Sequence, residues 1–395
     1  MSKTIVASGT IHWIGTGLST GAGLGVLCDL APRVLLWART AAKAEDCLTR
    51  LGFSGRAATR AFDLTSLAAE LDVGDLVVSM LPATEHVALL QLCIKRGAHF
   101  ACSSYVSDEI LAEIPAADKT GIVVLIEAGL DPGLDHVLAH QLVAQARATI
   151  GDTPAAVEFT SYCGGLPAVV NDFRYRFSWA PRGVLTALLS SARYVDEGVE
   201  KVAVHPWEAT RRLEFAGEVF EGYPNRDSVP FITRYGIPNS WTLETFVRGT
   251  LRLAGWREVW APVFAELRTG NSDRITALAH ELAARHPTTD ADRDRDRVVL
   301  SVCLSVCAAD GRTWSGAYWL DAVGDEDQSA MARCVSLPLA FGSTEILNGT
   351  TPAGLHRAAE DANEAHRWLE FLTAHGIDCK FGVANIRNKL DKVDR

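Results

Sequence analysis

Two short motifs carry residues that could bind a dinucleotide and place a charge beside it. Ile-Gly-Thr-Gly at residues 14–17 ends an apolar run in a glycine turn. Glu-Ala-Gly-Leu-Asp-Pro-Gly at residues 127–133 follows a later apolar run. Glycines let the backbone approach a pyrophosphate, and the helix that follows offers N–H groups and the positive end of its dipole. We therefore predict a dinucleotide site and hydride transfer. The predicted phosphate contacts are Gly15, Gly17, Leu18 and Ser19.

The first motif departs from the full dinucleotide fingerprint, so an ordinary tight turn is the alternative interpretation. Thr20 stands where the fingerprint places glycine or alanine, and Gly21 comes one residue late. The position of the turn, after a predicted strand and before a predicted helix, favours dinucleotide binding.

The end of the second predicted strand favours NADP over NAD. It reads Trp-Ala-Arg-Thr at residues 37–40, without the acidic residue that usually grips the ribose hydroxyls of NAD. Arg39 can pair with a 2′-phosphate, Thr40 can hydrogen-bond it, and Lys43 lies one helical turn further on. The alternative is an ordinary surface arginine. We predict NADP(H) as the cofactor.

Later strand ends supply more candidates for the cofactor and the reacting atoms. Candidate cofactor contacts are Leu81, Pro82, Thr84, His86 and Ser104. His86 is equally well interpreted as a surface histidine of a helix. Tyr105 could donate a hydrogen bond to a substrate carboxylate or imine, or could simply pack. Asp131 could lie beside the nicotinamide, could cap a helix that Pro132 begins, or could do both.

Three segments of the second half could recognise a substrate. Cys163 precedes a glycine pair at 164–165 whose N–H groups could bind a carboxylate, although a lone cysteine is more often a small buried residue. Turns around Arg226 and Arg248 bear guanidinium forks that suit carboxylates. Surface ion pairing is the alternative for both arginines.

The elements that must position these residues alternate between strand and helix up to residue 132. Apolar strands at 4–15, 33–38, 75–81, 99–103 and 121–127 are separated by helices. This alternation predicts a doubly wound parallel sheet, the Rossmann arrangement, with ligands at the carboxyl ends of the strands. A helix at 134–147 and mixed β-rich stretches follow, which predict an α+β domain with a largely antiparallel sheet. The proposed domains are 1–132, completed by about 340–385, and 133–339 for substrate binding and dimerisation.

Composition places the chain among soluble globular proteins. Of its 395 residues, 48% are hydrophobic and 22% charged, and the net charge of −10 argues against nucleic acid as a partner. The nine cysteines show no CxxC pair, which indicates reduced thiols and a cytoplasmic location. No apolar run approaches the ~20 residues of a membrane-spanning helix, and residues 285–297 alternate charges like a solvated loop. The sequence contains no recognisable metal cluster, P-loop or Ser/His/Asp signature.

Together these segments resemble the saccharopine dehydrogenase family, in its NADP-dependent, L-glutamate-forming type. The matching stretches run in family order over most of the chain. They are Val-Ser-Met-Leu-Pro at 78–82, Ser-Tyr-Val-Ser at 104–107, Gly-Leu-Asp-Pro-Gly-Leu-Asp-His at 129–136, Ser-Tyr-Cys-Gly-Gly-Leu-Pro at 161–167, Phe-Ser-Trp at 177–179, Tyr-Pro-Asn-Arg-Asp-Ser at 223–228 and Arg-Gly-Thr-Leu-Arg at 248–252.

The resemblance implies a reaction of lysine metabolism and amino-acid biosynthesis, carried out by a homodimer. Glutamate and 2-aminoadipate 6-semialdehyde condense to an imine, and reduction with NADPH gives saccharopine. Asp131, Tyr105 and Cys163 would be the catalytic residues, with either of the last two relaying the proton. The implied substrate contacts are Gly164, Trp179, Arg226 and Thr250.

Two departures from the family pattern leave the substrate open. The loop between residues 167 and 177 is shorter, and the region around 265–297 is abbreviated and rich in charge. A carboxyspermidine-type or opine-type dehydrogenase that makes another N-(carboxyalkyl)amine is one alternative. A diamine substrate would call for extra acidic residues, whereas Arg226 suits a carboxylate. A non-catalytic NADP-binding protein is the other alternative.

Overall fold

The computed structural model describes residues 3–288 and 296–383, and the chain divides into two compact units. The first unit comprises Met1–Val137 and Met331–Gly376, and the second comprises Leu138–Ala330 and Ile377–Arg395. The carboxyl-terminal segment that returns to the first unit thus begins at Met331 and ends at Gly376.

The first unit contains a seven-stranded sheet in which every pairing is parallel. Its strands are β1 Thr10–Ile14, β2 Arg33–Ala38, β3 Ala58–Ala61, β4 Leu76–Ser79, β5 His99–Cys102, β6 Val123–Leu125 and, from the returning segment, β15 Gly354–His356. The order is β15-β6-β5-β4-β1-β2-β3. Strands that follow β1 are added first on one side of it and then, from β4 onward, on the other side, so the strand order reverses between β1 and β4. Ligands bind at such a switch point in doubly wound sheets. The predicted Rossmann architecture is confirmed.

The first unit also contains helices, and some of them begin or end at a capping residue. They are α1 Ala22–Leu30, α2 Ala41–Arg50, α3 Leu64–Glu70, α4 His86–Arg96, α5 Asp108–Thr120, α12 Ala330–Leu347 and α13 Ala362–Ala374. Ser107 accepts a hydrogen bond from the Ile110 N–H at the start of α5. Gly97 and Gly121 end α4 and α5 in the left-handed conformation that favours glycine. The β3 and α3 elements were not predicted, because their short polar sequences lack a clear period.

The second unit is built on a largely antiparallel sheet. Its strands are β7 Ala155–Pro167, β8 Ala192–Asp196, β9 Val199–Ala203, β10 Arg211–Phe215, β11 Glu218–Pro224, β12 Trp241–Leu253, β13 Asp296–Ala308, β14 Thr313–Val323 and β16 Lys380–Gly382. The main path is β10-β11-β12-β7-β13-β14-β16, and β12 with β7 is its parallel pair. The predicted α+β architecture is confirmed, and Lys380–Gly382 joins this sheet rather than the first.

The remaining helices include several that were not predicted from the sequence. They are α6 Leu134–Ile150, which crosses the boundary between the units, α7 Pro181–Leu189, α8 Pro230–Arg234, α9 Trp256–Val259, α10 Ala261–Leu267 and α11 Ser272–Arg285. Of the predicted charged loop at 285–297, Arg285 is the last residue of α11 and Asp296 and Arg297 begin β13, while residues 289–295 lie outside the described part of the chain. Ile275, Leu278 and Leu282 give α11 a buried apolar face.

Two further findings concern the described residues alone. None of their helices combines the length and apolar character needed to span a bilayer. No group of three or more His, Cys, Asp or Glu side chains within them is arranged to hold a metal ion.

Candidate active site

The glycine turn after β1 requires glycine at its first position. Gly15 has a φ of 117°, and a Cβ there would lie 3.1 Å from the backbone carbon and oxygen of Met80. The Gly15 N–H donates to the Trp37 carbonyl at 2.9 Å, which ties the turn to the end of β2. The turn therefore lies at the carboxyl ends of the strands on either side of the switch point.

The next residues leave room for a ligand, and Thr20 braces the turn. A Cβ on Gly17 would meet no atom within 4 Å, and Gly17 and Leu18 are exposed. The buried Thr20 donates from its hydroxyl to the Gly15 carbonyl and from its N–H to the Gly17 carbonyl, both at 3.1 Å. The departure from the glycine fingerprint thus replaces a glycine with a side chain that stabilises the loop. Ser19 is half-buried in the same segment.

The end of β2 presents the residues predicted for a 2′-phosphate. Arg39, Thr40 and Lys43 are all exposed. The Thr40 hydroxyl accepts a hydrogen bond from the Lys43 N–H at 3.2 Å and so caps α2. Arg39 precedes this cap and follows Ala38, so residues 37–40 themselves carry no carboxylate. The arrangement fits a phosphate near the N-terminus of α2.

The segment after β4 is held by a buried histidine. Leu81 is half-buried, and Pro82 and Thr84 are exposed. His86 is 3% exposed, and its Nε2 lies 3.1 Å from the Leu81 carbonyl oxygen. Burial lowers the pKa of His86 to about 4, although its hydrogen bond to the Leu81 carbonyl acts in the opposite direction. This histidine is a buried side chain that positions the loop, not one on a helix surface.

The lowered pKa of His86 predicts a loss of stability in mild acid. Between pH 6.5, its ordinary pKa, and about 4, the unfolded chain takes up a proton that the folded chain does not. The free energy of unfolding should fall over this range by on the order of 3 kcal/mol because of His86. The variant His86→Gln lacks this titration. Denaturant unfolding at pH 7 and pH 4 measures the free energy of unfolding of both proteins. The difference in this free energy between the variant and the unaltered protein should change by that amount between the two pH values. A difference that does not change with pH would contradict the prediction.

The loops after β5 and β6 bring Tyr105 and Asp131 together. The Tyr105 hydroxyl donates to Asp131 Oδ1 at 2.6 Å, and both side chains are half-buried. The helix α6 begins at Leu134, so Asp131 lies two residues before its N-cap position. Asp135 Oδ1 accepts the hydrogen bond from the Gly133 N–H instead, at 2.7 Å. Pro132 does not occupy the first helical position, because α6 begins at Leu134, and the peptide bond between Asp131 and Pro132 is cis.

A buried carboxylate beside this pair was not assigned a role from the sequence. Glu127 is fully buried at the end of the strand segment, with a φ of 53°. Its Oε1 accepts a hydrogen bond from the Val106 N–H at 3.0 Å, and its Oε2 accepts one from Arg357 Nε at 3.0 Å. His136 Nε2 lies 3.4 Å from Glu127 Oε2. In the sequence, Glu127 could have been found as a charged residue at the end of an apolar run. No local pattern in the sequence marks Arg357 as its partner.

The surroundings of Glu127 keep it ionised. Burial by itself raises the pKa of this carboxyl group. The hydrogen bond and charge of His136, the charge of Arg357 and the Val106 N–H together outweigh burial and lower the pKa to about 2. A carboxylate therefore lies at the base of the Tyr105 and Asp131 loops over the physiological pH range.

In the second unit, Cys163 and Thr250 lie side by side on neighbouring strands. Cys163 of β7 pairs in register with Thr250 of β12, and Thr250 pairs with Tyr223 of β11. Paired residues share a face of the sheet, so the three side chains form one row. Gly164 follows within the same strand, where a Cβ would lie 2.6 Å from the Leu251 carbonyl oxygen. The glycine pair, whose N–H groups were predicted to bind a carboxylate, is thus part of a strand paired with β13.

Trp179 and Arg226 lie outside this row. Trp179 is 37% exposed, and its ring packs against Gly183 in the first turn of α7. Arg226 follows β11 with a φ of 56°, and its carbonyl accepts a hydrogen bond from the Arg193 N–H at 3.0 Å. Arg193 also forms a two-point ion pair with Asp227, at 3.0 and 2.7 Å. These contacts hold the turn that carries Arg226.

Two described segments match known protein domains. Residues 11–125 match the saccharopine dehydrogenase NADP binding domain. Residues 129–377 match the saccharopine dehydrogenase C-terminal domain. The first match covers the glycine turn and the Tyr105 loop, and the second covers Asp131 together with the second sheet except β16.

Full proteins and solved structures show the same likeness. The chain is 37% identical over 257 residues to a saccharopine dehydrogenase (NADP(+), L-glutamate-forming) of Pyricularia oryzae, covering 64% of this chain and 56% of that protein. The corresponding Schizosaccharomyces pombe protein is 36% identical over 226 residues, covering 56% of this chain and 49% of that protein. The chain therefore spans about half the length of the curated relatives it matches.

The structural comparison extends over almost the whole chain. Apo saccharopine dehydrogenase (L-Glu forming) from Saccharomyces cerevisiae matches with a TM-score of 0.78 and 25% identity, covering 95% of this chain and 99% of that one. A homospermidine synthase from Legionella pneumophila, solved with NAD, matches with a TM-score of 0.65 at 12% identity, covering 98% of this chain and 94% of that one. The second likeness shows a shared fold alone.

Proposed function

This chain belongs to the saccharopine dehydrogenase family, and on that premise we propose that it is an NADP-dependent oxidoreductase acting on a CH–NH bond. The proposed reaction reduces the imine of L-glutamate and 2-aminoadipate 6-semialdehyde to saccharopine, or runs in reverse. The observation that carries the proposal is the 2.6 Å hydrogen bond between Tyr105 and Asp131, at the carboxyl ends of the sheet whose first turn suits a dinucleotide.

The residues of the first unit suit NADP(H). When bound, NADPH supplies the hydride. Gly15, Gly17, Leu18 and Ser19 would contact its pyrophosphate, because the turn is open at Gly17 and leads into α1. Arg39 and Thr40 would bind the 2′-phosphate. The proposed contacts to the rest of the cofactor are Leu81, Pro82, Thr84, His86 and Ser104. His86 would act indirectly, through its hydrogen bond with the Leu81 carbonyl.

The reacting carbon would be activated by charge. A protonated imine is positive, and a carboxylate at Asp131 stabilises it electrostatically in a partly water-excluded site. The Tyr105 hydroxyl, which donates to that carboxylate, orients it and could pass a proton. Cys163 is the alternative proton relay, although it is 7% exposed and lies within a strand.

The substrate carboxylates call for cationic and hydrogen-bonding groups. We assign these roles to Arg226 and Thr250, with Gly164 and Trp179 shaping the pocket. Arg248 and Arg252 lie on the same face of β12 as Thr250, since side chains two apart on a strand share a face. Both arginines are buried, at 1% and 6% exposure. This positive face suits an amino acid with several carboxylates better than a diamine.

The test is the NADP-dependent oxidation of saccharopine by the purified protein, followed as NADPH appears. We expect turnover with NADP and at most weak turnover with NAD. Carboxyspermidine and an opine serve as competing substrates in the same assay. Turnover of either of these, but not of saccharopine, would replace the proposed substrate. Tight NADPH binding without turnover of any of them would leave only a non-catalytic role.

Replacing the exposed arginine at the end of β2 should change the cofactor preference. Arg39→Ala is expected to weaken NADPH binding about 10-fold to 100-fold and NADH binding by less than 2-fold, because only NADPH carries the charge that Arg39 would pair with. Titrations followed by cofactor fluorescence measure the affinities for NADPH and for NADH. Arg50→Ala, at the exposed end of α2, is the matched control. Equal weakening of the two cofactors would remove Arg39 from the proposed site.

We also propose a cytoplasmic homodimer acting on small amino-acid or imine substrates in lysine metabolism and amino-acid biosynthesis, with neither nucleic acid nor a membrane as a partner. The absence of disulfides among the nine cysteines is consistent with a reducing compartment. The homodimer rests on the family likeness. Light scattering after size-exclusion chromatography would give the mass in solution, to be compared with the chain mass of 42.7 kDa.

A further inference from the structure

Glu127 connects the two loops that carry Tyr105 and Asp131. Its own N–H donates to the Ser104 carbonyl at 3.1 Å, while its side chain accepts from the Val106 N–H at 3.0 Å. Glu127 therefore hydrogen-bonds the backbone on both sides of Tyr105, at Ser104 and at Val106. A shift of Glu127 would move the Tyr105 hydroxyl relative to Asp131.

A second set of contacts runs from Glu127 to the turn of Asp131. His136 lies between two carboxylates, with Nε2 3.4 Å from Glu127 Oε2 and Nδ1 3.4 Å from Asp135 Oδ2. Asp135 in turn accepts the hydrogen bond from the Gly133 N–H, two residues beyond Asp131. Each of these side chains is almost fully buried. The contacts thus form a continuous path from the Tyr105 loop to the Asp131 loop.

The cation of this network comes from the returning segment. Arg357 follows β15, 230 residues after Glu127, and donates to Glu127 Oε2 at 3.0 Å. Burying a carboxylate is costly unless its charge is paired and its lone pairs are hydrogen-bonded. Arg357 supplies that pairing. A hydrophobic residue in place of Glu127 would leave the Val106 N–H without its acceptor.

We propose that Glu127 is a positioning residue for the reaction, which sets the geometry of the Tyr105 and Asp131 pair and is itself held by Arg357. The inference rests on the proposed function, because it assumes that this pair acts on the substrate. Neither Glu127 nor Arg357 needs to touch the substrate or the cofactor. Misplacement of a reacting group by about 1 Å can cost about 100-fold in rate, so a positioning residue can have a large effect.

The test compares Glu127→Gln with Glu345→Gln, which removes the same charge from an ion pair with Arg367 elsewhere in the first unit. Glu127→Gln is expected to lower kcat for saccharopine oxidation about 10-fold or more, with NADPH binding within 2-fold. Hydrogen exchange of the Val106 amide should become about 10-fold faster, because a neutral acceptor forms a weaker hydrogen bond. Glu345→Gln should change neither quantity.

A second pair of variants keeps the inference testable if Glu127→Gln fails to fold. Arg357→Met should lower kcat and speed Val106 exchange as Glu127→Gln does, while Arg357→Lys, which retains the charge, should recover much of the kcat. A purely stabilising role would lower the melting temperature without changing kcat. Unchanged Val106 exchange, or faster exchange with an unchanged kcat, would overturn the inference. Absence of turnover in the unaltered protein would instead overturn the proposed function, and the Val106 exchange would still decide whether Glu127 holds the Tyr105 loop.

Discussion

Asp131→Asn is expected to lower kcat for saccharopine oxidation about 100-fold or more while NADPH binding stays within 2-fold. The substitution keeps the shape of the side chain and removes the negative charge that we assign to stabilising the imine. Loss of one preorganised electrostatic contact of this kind typically costs about 100-fold to 1,000-fold. NADPH binding should persist, since the glycine turn at 15–17 does not depend on Asp131. Steady-state kinetics with saccharopine and NADPH titrations measure the two quantities.

The controls separate the charge of Asp131 from its hydrogen bond. Tyr105→Phe removes the donor at 2.6 Å and leaves the charge, so its effect on kcat should be smaller. Asp46→Asn removes a carboxylate from the exposed face of α2 and should leave kcat unchanged. Turnover by Asp131→Asn equal to that of the unaltered protein would exclude Asp131 from the chemistry.

Gly23→Ala is expected to destabilise the protein by about 2 kcal/mol, although alanine is the better helix former. A Cβ at Gly23 would lie 1.9 Å from the Ser336 carbonyl oxygen of α12, and the Gly23 N–H donates to Ser336 Oγ at 3.0 Å. Overpacking against a backbone atom costs about 3 kcal/mol, whereas glycine to alanine in a helix gains about 1 kcal/mol. Denaturant unfolding measures the difference. The cost of the steric overlap should exceed the gain in helix propensity, because the methyl group meets a backbone atom and not a flexible side chain.

The matched control for Gly23 is Gly17. A Cβ on Gly17 would meet nothing within 4 Å, and its φ is not in the left-handed region. Gly17→Ala should therefore leave the free energy of unfolding almost unchanged and weaken NADPH binding, because the methyl group enters the space proposed for the pyrophosphate. A Gly23→Ala variant as stable as the unaltered protein would show that α1 and α12 can move apart at little cost.

Local patterns in the sequence were sufficient for five of the seven strands of the first sheet, all except β3 and β15, and for its glycine turn. Apolar runs ending in glycine, and caps such as Ser107, depend only on residues close in the chain. Thr40 was predicted as a phosphate contact, and the structure adds that it caps α2. A local signal can also fit two structures. Asp131 before Pro132 resembles a helix start, but these two residues lie in a turn ahead of α6.

By itself, the sequence determined the family, the Rossmann and α+β fold classes and most of the residues proposed to act, because each motif lies within a few consecutive positions. Only the tertiary structure decided which of these residues meet. Tyr105 contacts Asp131 because β5 and β6 are neighbours in the sheet, and Glu127 contacts Arg357 because β15 pairs beside β6. Such contacts depend on the order of strands and the return of a distant segment, and no local spacing of residues encodes either.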